Sequence, residues 1–274
     1  MFYRKFLPTA ILAPFVECFY IWECDLFSSV PILVESPPSG FTSIVFNYGD
    51  TYTVSNQQHS NLSIPPFFIT GQATGRYELS LSGKIGMAGV VFKPAAMATF
   101  FNLPMFELTE ERLDLKSVLG KTAEELGESI AEATSRQYRL KLLEHWLLQL
   151  HREKAGDFDG IDFAANLMLD RKGNIEIEEI LGLVFMSRRQ FERKFFTKVG
   201  VSPKYYMRLR RIGYVCNLLA RQRKADWQLL IGAGDYFDQA HFIKEFKHFL
   251  GATPSEYFKY NKELVHFLER DFYM

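Results

Sequence analysis

Two stretches of this chain carry side chains able to read the edges of base pairs. Residues 188–194, RRQFERK, hold Arg188, Arg189, Gln190, Glu192, Arg193 and Lys194; residues 239–247 hold Gln239, Ala240, His241, Lys244 and Lys247. An arginine can bridge O6 and N7 of guanine, glutamine can pair with adenine, and glutamate can accept from cytosine. Arg189 and Arg193 are therefore the first choice as base readers, with Gln190 and Glu192 next. Ala240, His241 and Lys244 stand at the equivalent places in the second stretch. Ala240 can touch only a thymine methyl and His241 can bond either a base or a phosphate, so the second set is the poorer reader. Arg188, Lys194, Gln239 and Lys247 suit phosphate contacts, which position a protein on a duplex without specifying its sequence.

Such side chains read bases only when a rigid element presents them, and the sequence supplies that element twice. SRRQFERKFFTKVGVSPKYY (187–206) aligns with DQAHFIKEFKHFLGATPSEY (238–257) without a gap. Phe191, Phe195 and Val199 match Phe242, Phe246 and Leu250, an i, i+4, i+8 stripe that buries one face of a helix. Gly200 and Gly251 follow as C-terminal stops. Ser202-Pro203 and Thr253-Pro254 then restart a helix, with a capping side chain and a proline at its first position. The expected order is a helix over about 161–171, a first helix-turn-helix over about 176–184 and 188–198, and a connecting helix over about 203–221. A second helix-turn-helix follows over about 226–233 and 239–249, and a last helix begins at Pro254. That makes about seven helices. At ~1.5 Å per residue the connecting helix spans ~27 Å, which would set both readers in successive major grooves of one duplex. Lys204, Arg208, Arg210 and Arg211 at its start are further candidates for phosphate.

The charge balance agrees. The whole chain is neutral, with 32 basic and 32 acidic residues, yet residues 188–224 hold twelve basic residues against the single acid Glu192. So one-sided a surface fits a polyanion, since solubility needs only mixed signs.

The N-terminal half reads differently. From about 30 to 100, short apolar runs alternate with turn residues: TSIVFNY (42–48), TYTV (51–54), PFFITGQ (66–72), RYELSLS (76–82) and KIGMAGVVFKP (84–94). Strands at this spacing indicate a sandwich or barrel. From 105 the chain turns helical, with Thr109 as the expected N-cap of LTEERLDL and amphipathic helices over 122–133 and 135–152. Leu140, Leu143, Leu147 and Leu150 form a stripe that either covers the barrel or pairs two chains. HREKAGDFDG (151–160) is the expected boundary between residues 1–152, with their helical extension from 105, and an all-α domain over 158–265. The fold class is thus α+β.

Twenty-six phenylalanines point to large apolar cores or an aromatic-lined cavity. Trp22, Phe46, Phe68, Tyr77 and Phe92 are the expected lining, suited to an apolar or aromatic ligand. His59 stands alone in a polar loop of the β-rich half, so no metal site is expected. No nucleophile elbow, phosphate-binding glycine loop or paired-cysteine spacing occurs, so neither an enzyme nor a cofactor is expected. Three cysteines (Cys18, Cys24, Cys216), an odd count with no short paired spacing, indicate a reducing cytoplasm. A proline and Glu17 interrupt the N-terminal apolar run, arguing against a signal peptide. No stretch approaches the ~18 apolar residues of a membrane span, so no membrane partner is expected.

The blocks SRRQFERKF…GVSP and YFDQAHFIKEFK…GATPSEY resemble the AraC/XylS family of bacterial transcription regulators. LAPFVECFY, FNYGD, FKPAA and LPMFEL look, more loosely, like the sensor-type N-terminal domain of some members. The resemblance implies sequence-specific binding to double-stranded promoter DNA and contact with RNA polymerase. It also implies a cupin-like N-terminal domain that binds an unidentified small-molecule effector, forms a homodimer, or does both. A constitutive DNA-binding module whose N-terminal domain only dimerises or recruits a protein stays open beside this. The chain departs from the family at Leu181 and Ile231, where small residues are usual. It departs again at Phe185 and Asp235, where turns favour glycine; aspartate tolerates left-handed backbone and phenylalanine does so poorly.

Overall fold

The computed structural model describes residues 1–26, 30–153, 156–220, 222 and 225–260; residues 261–265 of the expected C-terminal domain lie outside them. Among the described residues ten strands open the chain: β1 (Phe2–Phe6), β2 (Val16–Asp25), β3 (Ile32–Ser36), β4 (Thr42–Asn47), β5 (Thr53–Ser55), β6 (Leu62–Ser63), β7 (Phe67–Thr70), β8 (Tyr77–Leu81), β9 (Lys84–Phe92) and, later, β10 (Arg112–Asp114). They form two antiparallel sheets, ordered β1-β2-β9-β4-β7-β10 and β3-β8-β5-β6. The larger sheet is covered on both faces. Phe19, Ile21, Ile44, Phe46, Val90 and Phe92 point to one side and pack under helices α1 (Ala96–Phe101), α2 (Leu115–Leu119), α3 (Lys121–Glu132) and α4 (Arg136–Glu153). Trp22, Val45, Phe68 and Met87 point to the other side, toward Tyr52, Val54 and Leu81 of the smaller sheet.

Double coverage explains why β2 escapes the alternation rule. Its middle, Cys18 to Trp22 (CFYIW), is a continuous apolar run, the pattern of a strand buried on both faces. A second expectation fails at 105–114. Thr109 caps no helix; its hydroxyl donates to the Met105 and Gly200 carbonyls instead. Glu110 turns the backbone through φ 67°, and Arg112–Asp114 pairs with β7 as an edge strand. Pairing to the sheet edge overrides the local helical preference of LTEER. Asp114 then caps α2 by accepting from the Ser117 amide at 2.9 Å. The leucine stripe of α4 packs inside the chain: Leu143 and Leu147 are fully buried, with Leu140 and Leu150 beside them against the larger sheet.

Seven helices follow among the described residues: α5 (Gly160–Asp170), α6 (Ile177–Val184), α7 (Arg188–Val199), α8 (Pro203–Ala220), α9 (Trp227–Ala233), α10 (Gln239–Leu250) and α11 (Pro254–Tyr260). They build two cores. The first gathers Ile161, Met168, Phe191, Phe195, Val199 and Tyr206; the second gathers Leu230, Phe242, Phe246, Phe249, Leu250 and Tyr257. Helix α8 is a wall of both, giving Tyr206 and Met207 to the first and Leu209, Ile212, Val215 and Leu219 to the second.

Candidate nucleic-acid interface

The sequence duplication is a structural one. Ser187 caps α7 through the Gln190 amide at 3.3 Å, and Asp238 caps α10 through the His241 amide at 2.7 Å. The core rings repeat as well: Phe191–Phe195 and Phe242–Phe246 both lie 5.6 Å apart, while Phe195–Tyr206 and Phe246–Tyr257 lie 5.8 and 5.4 Å apart. Gly200 and Gly251 end the helices at φ 94° and 72°, in the left-handed region that glycine enters without a Cβ clash. The turns between paired helices use the same region: Phe185 and Asp235 both sit at φ 52°.

This scaffold leaves the candidate readers outward. Arg188, Arg189, Gln190, Glu192, Arg193 and Lys194 are all exposed on α7, as are Gln239, Ala240, His241, Lys244 and Lys247 on α10. Arg188 reaches back to Glu178 of α6 as an exposed ion pair.

On the connecting helix only Lys204 of the four phosphate candidates stands in solvent. Arg208 donates twice to Glu245 of α10, from Nε at 2.8 Å and Nη2 at 2.7 Å. Arg210 donates to the Ser39 carbonyl and lies over the Phe41 ring at 4.9 Å. Arg211 is half-buried, with its guanidinium 5.8 Å from the Tyr236 ring centre. Arg208 and Arg210 are thus engaged within the protein, and Arg211 is partly withdrawn from solvent beside a ring. For Glu245, burial alone would raise the carboxyl; the Arg208 hydrogen bonds and charge outweigh it and hold the group below the ordinary carboxylate range.

Between the two sheets lies a cavity of about 320 Å³. Of the expected lining, Trp22, Phe68 and Tyr77 face it, while Phe46 and Phe92 do not. Strand alternation is the reason: Val45 and Val91 take the cavity side of β4 and β9, so Phe46 and Phe92 fall on the helical side, fully buried. Residues the sequence did not single out complete the wall, among them Tyr3, Tyr20, Tyr52 and Arg112, whose guanidinium stacks 4.5 Å from the Tyr77 ring centre. Asn217, on α8 of the helical part, lines it too.

The loop from 36 to 43 is shared between the cavity and helix α8. Ser39, Phe41 and Thr42 line the cavity. The Gly40 carbonyl accepts from the buried Tyr206 hydroxyl at 3.1 Å, and a Cβ on Gly213 would stand 2.8 Å from the Pro38 carbonyl oxygen. The recognition helix α7 is gripped at its far end: Phe196 stacks on Phe106 at 5.3 Å, and Lys198 bridges Asp162 at 2.6 Å and Asp159 at 3.1 Å. Asp162 also accepts from Thr99 of α1 at 2.7 Å, and its burial pushes the carboxyl up despite these partners. All three cysteines are free, and burial raises the Cys18 thiol to about 11, leaving it an inert apolar side chain.

Residues 4–114 match a family described as a domain of unknown function (DUF6597), and residues 182–260 match one described as a helix-turn-helix domain. A curated relative, an "Uncharacterized HTH-type transcriptional regulator" of Haemophilus influenzae, is 28% identical over 136 residues, 48% of this chain and 45% of the relative. The chain thus spans about half the length of the curated relative it matches. Among solved structures, ToxT from Vibrio cholerae aligns with 88% of this chain and 97% of its own at 12% identity and a TM-score of 0.46. Wild-type ToxT with bound unsaturated fatty acid aligns over 87% and 93% at 16% identity and 0.43.

Proposed function

We propose that this chain, whose C-terminal part is a helix-turn-helix domain of the AraC type, is a sequence-specific DNA-binding transcription regulator working in the cytoplasm. The observation that carries the reading is the outward polar face of α7, repeated on α10 by the same caps and core rings and joined through one shared helix. In a helix-turn-helix the N-terminal turns of the second helix meet the bases. Arg189 and Arg193 then bind guanines, Gln190 and Glu192 extend the contact, and Ala240, His241 and Lys244 read the next groove. Arg188, Lys194, Lys204, Gln239 and Lys247 hold phosphates. Bound at a promoter, the protein acts through RNA polymerase.

A small molecule in the cavity would modulate this binding. It would touch Asn217 on α8 and the loop that holds Tyr206 and Arg210, and so bias how α8 sits against the sheets. The test is fluorescence anisotropy of the full chain on a duplex selected from a random pool, against a scrambled duplex of equal length. Preferential binding of the selected duplex, lost in Arg189→Ala and Arg193→Ala, is expected; equal affinity for both duplexes refutes the reading. A metabolite library screened by thermal shift tests the effector separately, since a ligand of the folded state alone must raise Tm.

A further inference from the structure

Each helix-turn-helix leaves one phenylalanine in water at the mouth of its recognition helix. Phe185 is 93% exposed and Phe237 is 92% exposed. Neither seals a core. Met186, beside Phe185, packs into the first core with Phe191. Tyr236, beside Phe237, packs on Phe242 at 5.1 Å. Met186 stands at the staple position of α7, directly before its N-cap, and Tyr236, one residue further back, makes the corresponding apolar contact at α10. Phe185 also holds a left-handed backbone, φ 52°, which a bulky side chain destabilises and glycine would relax. A ring that neither fills a core nor eases its backbone has its use outside the chain.

Its position says where. Phe185 lies two residues before the Ser187 cap of α7, and Phe237 one residue before the Asp238 cap of α10. The first ring is followed within one turn by Arg188 and Arg189, the second by Gln239 and His241, all exposed. This cationic and hydrogen-bonding collar matches a duplex rather than an apolar protein groove. The apolar feature of a major groove is the C5-methyl of thymine, which phenylalanine can contact. We propose that Phe185 and Phe237 are specificity-determining residues that touch thymine methyls, one in each of two successive major grooves. The inference rests on the DNA-binding reading above and deepens it. It gives the second motif, whose α10 offers no arginine fork, a means of discriminating bases.

The experiment uses the full chain and a duplex selected by it from a random pool, with thymines replaced one at a time by deoxyuridine. Loss of one buried methyl is expected to weaken wild-type binding about fourfold at one or two positions in each half of the site. Phe185→Ala should weaken binding to the thymine duplex and be indifferent to the replacement in its own half; Phe237→Ala should do the same in the other half. Phe185→Gly keeps folding out of the question, because it should raise Tm while still weakening DNA binding. Wild-type affinity in both alanine variants overturns the proposal, as does an affinity loss that persists undiminished on deoxyuridine. Unchanged DNA binding with lost transcription in a purified RNA polymerase assay would assign the rings to a protein contact and overturn it too. If the wild-type chain selects no duplex at all, the DNA-binding reading itself fails.

Discussion

The Arg208–Glu245 pair decides how firmly the second reader is fixed to the connecting helix. Two charge-assisted hydrogen bonds, 2.8 and 2.7 Å, join α8 to α10 with side chains 28% and 9% exposed. Removing one member of a buried pair costs about 3–5 kcal/mol. The partial exposure of Arg208 places Glu245→Ala near the lower end, about 3 kcal/mol, because water can reach the orphaned guanidinium. Arg208→Ala also removes the guanidinium lying 5.6 and 5.5 Å from the Tyr205 and Phe249 ring centres. A double-mutant cycle in urea, read at the transition of the helical part, should return a coupling of about 2 kcal/mol, within the range for residues sharing a charged hydrogen bond. The pH dependence has a defined sign. The folded carboxyl lies below its unfolded value, so the pair's contribution is fully present above the unfolded carboxylate value, about 4.3. It is lost as pH falls through the lower folded value. The deficit of Glu245→Gln should therefore stay constant from neutrality to about pH 5 and shrink below about pH 4. Single-variant losses that add to within about 0.5 kcal/mol would refute the structural role given to Arg208.

Other expectations follow from the same geometry. Lys204→Ala should lower the slope of log affinity against log salt by about 1, whereas Arg208→Ala should leave that slope unchanged while weakening binding. Phe46→Ala should destabilise the β-rich part by about 3–5 kcal/mol in chemical denaturation, since the ring is fully buried under the helices. Phe68→Ala, on the cavity wall, should in addition abolish the Tm gain from any ligand found by thermal shift. Gly213→Ala places a methyl 2.8 Å from the Pro38 carbonyl oxygen, so hydrogen exchange across 36–43 should accelerate although alanine favours the helix itself. Unchanged exchange there would mean that the loop does not depend on α8.

The helical part was legible because its signals are local. Ser187, Gly200, Pro203, Asp238 and Gly251 each cap or stop a helix with atoms a few residues away, and the observed α7, α8 and α10 end within two residues of the expected bounds. What the sequence hid depends on distant partners. Arg208 meets a carboxylate 37 residues on, and Arg210 meets a carbonyl 171 residues back. No local pattern marks either as occupied. In TSIVFN, alternation separates Val45 from Phe46, but which parity faces the cavity is set by where the second sheet docks. Asn217 lines the cavity only because α8 is laid against the 36–43 loop, and the motif SPPSG announces a turn without naming what it touches.

Because α8 is a wall of both helical cores, neither recognition helix can shift relative to the other without repacking at least one of those cores. On the proposed mode of binding, the molecule acts as a caliper with a fixed jaw setting. One base pair inserted between the two contacted grooves turns the second by about 35° about the duplex axis, too far for side chains alone to follow. Binding sites for this protein should accordingly vary in their letters far more readily than in the number of base pairs between their halves.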